Sequence, residues 1–176
     1  MWRRDRGLIT KMKTIWFCGD NEDLLTSIAE VVGEELINRE QYVELIAHNE
    51  VREILGRGLK DTSEDKSTFA DRLGFLGNLL HRNKVFALVV SKNISLKDRK
   101  IVKETYRNYI QVNLGNKDEL TDISLNKMDE PKFNAKKVIE YLIKQNIIPE
   151  AGQGTDVYSK DEEEEIRRRL EELGYV

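Results

Sequence analysis

"TIWFCGDNEDLLTSIAEVVGEELIN", residues 14–38, decides how the rest of the chain is read. Its opening "TIWFCG" (14–19) is short, apolar and β-rich and ends in glycine, which predicts a buried strand. From Asp23 to Asn38 the spacing changes from strand-like to helical, with Leu24, Ile28, Val32 and Leu36 on one face. Strand then helix repeats along the chain. "YVELIA" (42–47) predicts a second strand, and "NEVREILGRG" (49–58) a short helix closed by glycine. Thr62 and Asp65 form a capping pair ahead of Phe69, Leu73, Leu76 and Leu80, predicting a long helix to about Arg82. "VFALVV" (85–90) predicts a third strand. Ser95 and Asp98 repeat the capping pattern before a helix through Tyr106. "YIQVNL" (109–114) and "DISL" (122–125) supply two more strands, and Val138, Ile139 and Leu142 lie on a helix over 134–145.

Strands alternating with helices predict an α/β domain with a mostly parallel five-stranded sheet between two helical layers. The domain is expected over 13–148, after a basic extension (1–12) that lacks an apolar run of signal-peptide length. A Pro- and Gly-containing linker (149–159) leads to an acidic C-terminal helix (160–176). That helix has a thin apolar stripe of Ile166, Leu170 and Leu173, which predicts docking on this domain or on a protein partner.

The 176 residues are 39% apolar and 35% charged, with a net charge of −3. Such a balance creates no global field toward nucleic acid, and no apolar run reaches membrane-spanning length. The single cysteine, Cys18, permits no internal disulfide and reads as a small core residue, so a reducing, cytoplasmic setting is expected. No Cys/His cluster has metal spacing, so no metal site is expected.

Parallel sheets bind ligands beyond the carboxyl ends of their strands, where helix N-termini can hold anions. The segment after the first strand is therefore the place for a phosphate loop. A working loop reads G-x-x-x-x-G-K-[ST]: glycines let backbone N–H groups close on the phosphates, and lysine neutralises their charge. Here the frame reads Gly19, Asp20, Asn21, Glu22, Asp23, Leu24, Leu25, Thr26, followed by Ser27. The first glycine and the hydroxyl survive, while Leu24 replaces the second glycine and Leu25 the lysine. Three acids are expected beside the phosphate positions. A like-charge pair at about 4 Å costs roughly 1 kcal/mol in water and roughly 4 at an effective dielectric of 20.

"GDNEDLLTSIA" (19–29) resembles, without a gap, the G-L-S-G-A-G-K-S-T-I-A loop of the adenylylsulfate (APS) kinase family. The resemblance continues through "IAHNEVR" (46–52) for L-D-G-D-x-V-R, and "SEDKSTFADR" (63–72) for S-x-x-D-R-x-x-N-x-x-R. It runs on through "SKNI" (91–94) for S-P-Y-R, then "DISLN" and "AKKVIEYLIKQNII" (135–148). It implies a P-loop NTPase-like three-layer sandwich and, for an active member, phosphotransfer from ATP with magnesium.

The departures change that expectation. Ala47-His48-Asn49 stand at D-G-D, Lys66 and Phe69 replace the helix Arg and Asn, and Ile94 replaces the S-P-Y-R arginine. The family's basic lid is missing between "VNLGN" and "DISLN". A catalytically degenerate member is expected, with no catalytic residue and no cofactor, acting by binding, regulation or assembly. Its expected partner is a second copy or an active relative. The alternative is a divergent kinase or transferase that still binds ATP or APS. Residual nucleotide- or APS-binding candidates are Arg52, Lys66, Arg72 and Ser91. The simpler reading of Arg52 and Arg72 is as surface arginines in ion pairs with nearby Glu50, Glu53 or Asp71.

Overall fold

Residues alternate cleanly along the first strand, β1 (Thr14–Gly19): Ile15 and Phe17 face one helical layer, Trp16 and Cys18 the other. That alternation, on a strand buried from both sides, requires helices on both faces. The computed structural model describes residues 13–92, 94–150 and 168. Over them the elements run β1, α1 (Glu22–Ile37), β2 (Val43–Ala47), α2 (His48–Leu55) and α3 (Ser63–Arg82). Then follow β3 (Phe86–Lys92), α4 (Leu96–Tyr106), β4 (Tyr109–Leu114), β5 (Ile123–Leu125) and α5 (Pro131–Lys144).

The sheet order is β2-β3-β1-β4-β5, and every pairing is parallel. α1 and α5 cover one face through Leu25, Ile28, Val32, Leu36, Val138 and Leu142. α3 and α4 cover the other through Phe69, Ala70, Leu73 and Val102, with Val51 and Leu55 of α2 alongside. The predicted three-layer architecture is present. All five strands present their carboxyl ends on one edge, so the loops after β1, β2, β3 and β4 share that edge.

Several boundaries shift for local reasons. β2 begins at Val43, because Tyr42 is exposed before the pairing starts. α2 begins at His48 and ends at Leu55, followed by its C-cap Gly56, whose N–H bonds to the carbonyl of Arg52; Gly58, with φ of 81°, lies beyond it. β3 runs on to Lys92 because β1 pairs with it through Gly19. α5 starts at Pro131, whose missing N–H costs nothing in a first turn. Thr62 and Ser95 cap α3 and α4 by accepting from the Asp65 and Asp98 N–H groups, as the capping pairs predict. The expected N-terminal extension lies outside the described residues, as do the linker from 151 onward and the C-terminal helix, of which only Arg168 is described and is helical.

Candidate functional site

Only Asp20 and Asn21 join β1 to α1. The helix begins at Glu22, so the positions of a phosphate loop have become its first turns. Asn21 caps it: its side-chain oxygen accepts from the Leu24 N–H at 3.0 Å, and its carbonyl accepts from Leu25. The cap is therefore Asn21, and Asp23 is an exposed first-turn acid suited to the helix dipole. Leu25, at the motif's lysine, is fully buried in the α1/α5 core, while Leu24 packs only at its margin. Thr26 and Ser27 sit a turn inside the helix. Gly19 has a packing reason to be glycine: a Cβ there would meet the Leu114 Cβ at 3.1 Å.

The three acids do not repel as the sequence suggests, because two of them have lysine partners from elsewhere. Lys127, between β5 and α5, contacts Asp20 at 2.6 Å, and Lys92, ending β3, contacts Glu22 at 2.9 Å. Glu22 is 7% exposed and also accepts from the Asn49 N–H at 3.2 Å. The Lys127 contact holds the Asp20 carboxyl below its usual range. Lys92 lies inside "SKNI" at the motif's proline, and Lys127 has no motif neighbour and is 107 residues from its partner, so motif spacing marks neither as a charge partner. Asp20, Asn21, Glu22 and Asp23 share an open depression with Asn49 and these two lysines.

Beyond β2 and β3 lies a separate cavity of about 220 Å³. Arg52 and Lys66 meet there, joined by Lys60, Lys92, His48 and Phe69. Lys66 pairs with Asp61 at 3.1 Å, and the Arg52 Nη1 lies 3.2 Å from His48 Nε2. His48 is 4% exposed and stacks edge-on against Phe69. Burial pushes its pKa down, with Glu22 opposing and Arg52 and Lys92 assisting. A neutral ring whose Nε2 accepts from Arg52 carries its proton on Nδ1, which is buried without a partner. Arg72 lines no such cavity; its guanidinium donates to the Leu55 carbonyl and fastens α3 to the end of α2. Neither arginine is paired with Glu50, Glu53 or Asp71.

Ser91 faces a third space, of about 290 Å³, between the ends of β1 and β4. It is buried and accepts from the Trp16 indole N–H. Cys18 lies beside it, and burial pushes its thiol up to about 11, which keeps it protonated and inert near neutral pH.

Where the family carries a lid, residues 115–122 join β4 to β5. Gly115 opens this loop at φ of 94°, and the Lys127 stem lies across it. Three pairs fasten the loop to α4: Arg99–Asp118 at 2.7 Å, Lys100–Glu119 at 3.4 Å and Lys103–Asp122 at 2.9 Å. Each pair is separated by 19 residues, so cations and acids repeat the same spacing. Burial opposes ionisation of Asp118. Hydrogen bonds from Arg99, Asn113, the Leu120 N–H and Thr121 outweigh it and bring the carboxyl down to about 2.

A family model described as adenylylsulphate kinase matches residues 11–121. The chain belongs to the adenylylsulfate kinase family. An adenylyl-sulfate kinase of Rippkaea orientalis is 29% identical over 93% of each chain. One from Deinococcus deserti is 36% identical over 77 residues, spanning 44% of this chain and 42% of that protein. Among solved structures, the APS kinase of Mycobacterium tuberculosis superposes with a TM-score of 0.68 at 20% identity, covering 74% and 96% of the two chains. A hexameric APS kinase from Thiobacillus denitrificans gives 0.68 at 12% identity, covering 79% of this chain and 31% of that one. At those identities the likeness is one of fold. Among the described residues no helix is long and apolar enough to cross a membrane, and no acid, His and Cys grouping could hold a metal ion.

Proposed function

We propose that this chain is a catalytically silent adenylylsulfate kinase homologue that works by binding, as a regulatory or assembly partner in sulfate or nucleotide metabolism. The two-residue connection between β1 and α1 carries this reading. Wrapping a polyphosphate takes a run of free backbone N–H groups with a lysine above them. Here the Asn21 side chain uses the Leu24 N–H, Leu25 points into the core, and Lys92 and Lys127 are held by Glu22 and Asp20. These residues do not fit magnesium-ATP. Phosphoryl transfer depends on positioning and charge neutralisation, and both are lacking.

The cavity lined by Arg52, Lys60 and Lys66, with Phe69 in its wall, supports a second role within the same reading; Asp61 and Asp65 line it too, and Asp61 pairs with Lys66. Arg52 and Lys60 beside apolar and aromatic side chains suit an acidic nucleotide such as adenylylsulfate, bound without turnover. The same cavity is what favours the alternative, a divergent phosphotransferase. Pairing with a second copy or an active relative is supported by the hexameric Thiobacillus homologue.

The test is thermal stability with magnesium-ATP, with adenylylsulfate and with neither, beside a phosphotransfer assay that includes an active homologue. A ligand at 100 times its dissociation constant adds about 2.7 kcal/mol of stability. We expect no shift with magnesium-ATP and no transfer, and a shift with adenylylsulfate that Lys66→Ala reduces. A magnesium-ATP shift accompanied by transfer would overturn the proposal and make the chain a kinase.

A further inference from the structure

The geometry points to a small-oxyanion site in the space between the ends of β1 and β4, separate from the Arg52–Lys66 cavity, with Arg99 as its anchor. The Arg99 side chain is 10% exposed. Its Nη2 donates to Asp118 at 2.7 Å and its Nε to the Ile94 carbonyl at 3.4 Å, but its Nη1 is buried and has no partner. Buried guanidinium N–H groups rarely stay unmatched, since such a group has lost its water and gained nothing. Arg99 lines a space of about 290 Å³, enough for a tetrahedral oxyanion.

Two further donors face the same space. Ser91 accepts from the Trp16 indole N–H and shares a hydrogen bond of 3.9 Å with Cys18 Sγ; with the protonated thiol as the donor there, the Ser91 hydrogen is left for a ligand. The Lys127 ammonium spends one hydrogen on Asp20 at 2.6 Å and has two left. Guanidinium, hydroxyl and ammonium together make a donor set for an oxyanion; the low exposure of Arg99 and Ser91 strengthens their bonds, while Lys127, 45% exposed, stands at the rim. The two acids at the rim, Asp20 and Asp118, are already neutralised by Lys127 and Arg99. They limit the site to an anion of at most two charges, sulfate or monohydrogen phosphate, free or as the terminal group of a larger molecule.

The experiment titrates the whole chain with sodium sulfate, sodium phosphate and AMP at constant ionic strength set with chloride. Binding is read by calorimetry and by the ¹⁵N guanidinium resonance of Arg99. We expect saturable binding, a shifted and slowed Arg99 resonance, and at least a tenfold loss of affinity in Arg99→Lys. That variant keeps a cation for Asp118 and removes Nη1; Lys66→Ala, in the other cavity, should leave binding unchanged. A response to AMP alone, lost in Arg99→Lys, would assign the same oxyanion to an esterified ligand. No saturable response to any of the three, or undiminished binding in Arg99→Lys, overturns the site. Because Lys66→Ala tests the other cavity, failure here is distinguishable from failure of the adenylylsulfate reading.

Discussion

Leu25 stands where a phosphate loop carries its lysine, and here it is a core residue. Lysine there would neutralise phosphate; leucine there is fully buried beneath α5 and within reach of Gly19. Leu25→Ala should cost about 2–5 kcal/mol, the usual range for emptying such a site. Leu25→Lys should cost at least as much, because it buries an ammonium among apolar side chains. Denaturant melts of the two variants check this, and a stable Leu25→Lys would mean that the position opens toward solvent. His48 behaves as a buried neutral ring with a pKa below 6.5. The unfolded chain therefore takes up the proton first, so stability is full above about pH 6.5 and falls as the pH drops below it. A pH series of Tm should show that decline in the wild type and a flatter profile in His48→Gln. The apolar spacing of α1 was readable in the sequence, but the buried member of the pair Leu24–Leu25 was not. Adjacent positions differ by 100° around a helix, and only the packed neighbours select one.

At the scale of elements, the β4–β5 connection is the part that departs furthest from a mobile cover. Arg99, Lys100 and Lys103 of α4 meet Asp118, Glu119 and Asp122 at equal separations, and the Lys103 ammonium also donates to the Leu120 carbonyl. Exposed pairs such as Lys100–Glu119 are worth little on their own; the Arg99–Asp118 pair is mostly buried and carries four hydrogen bonds on its carboxylate side. With the Asp118 carboxyl at about 2, below its unfolded value of 3.8, its contribution is complete above about pH 4. It is lost as the pH falls from there toward 2. Asp118→Asn should therefore speed amide exchange across 115–122 at neutral pH by tenfold or more, measured by hydrogen–deuterium exchange. Unchanged exchange would mean that the loop is held by its other bonds. The shortness of this connection was legible in the sequence. Its attachment to α4 was not, although the matched charge spacing was there to be found.

Among the described residues, three neighbouring spaces at the same sheet edge share side chains: Lys92 lines two of them, Asp20 and Lys127 do likewise, and the end of β3 reaches all three. In the β1–α1 depression Lys92 pairs with Glu22 and Lys127 with Asp20, the β2–β3 cavity is lined by Arg52 and Lys60 together with Phe69, and the β1–β4 space holds one unmatched guanidinium nitrogen.

The sequence by itself determined the order and type of the elements, the capped starts of α3 and α4, the parallel three-layer fold and the loss of the phosphate motif. These follow from periodicity and from residue types a few positions apart, which local physics dictates. Tertiary structure alone decided the partners of the charges. It brought Lys92 and Lys127 to the acids of the first loop, turned Arg72 to a backbone carbonyl and left Arg99 one bond short. Charge pairing has no period along the chain; it depends on which strand ends the sheet sets side by side.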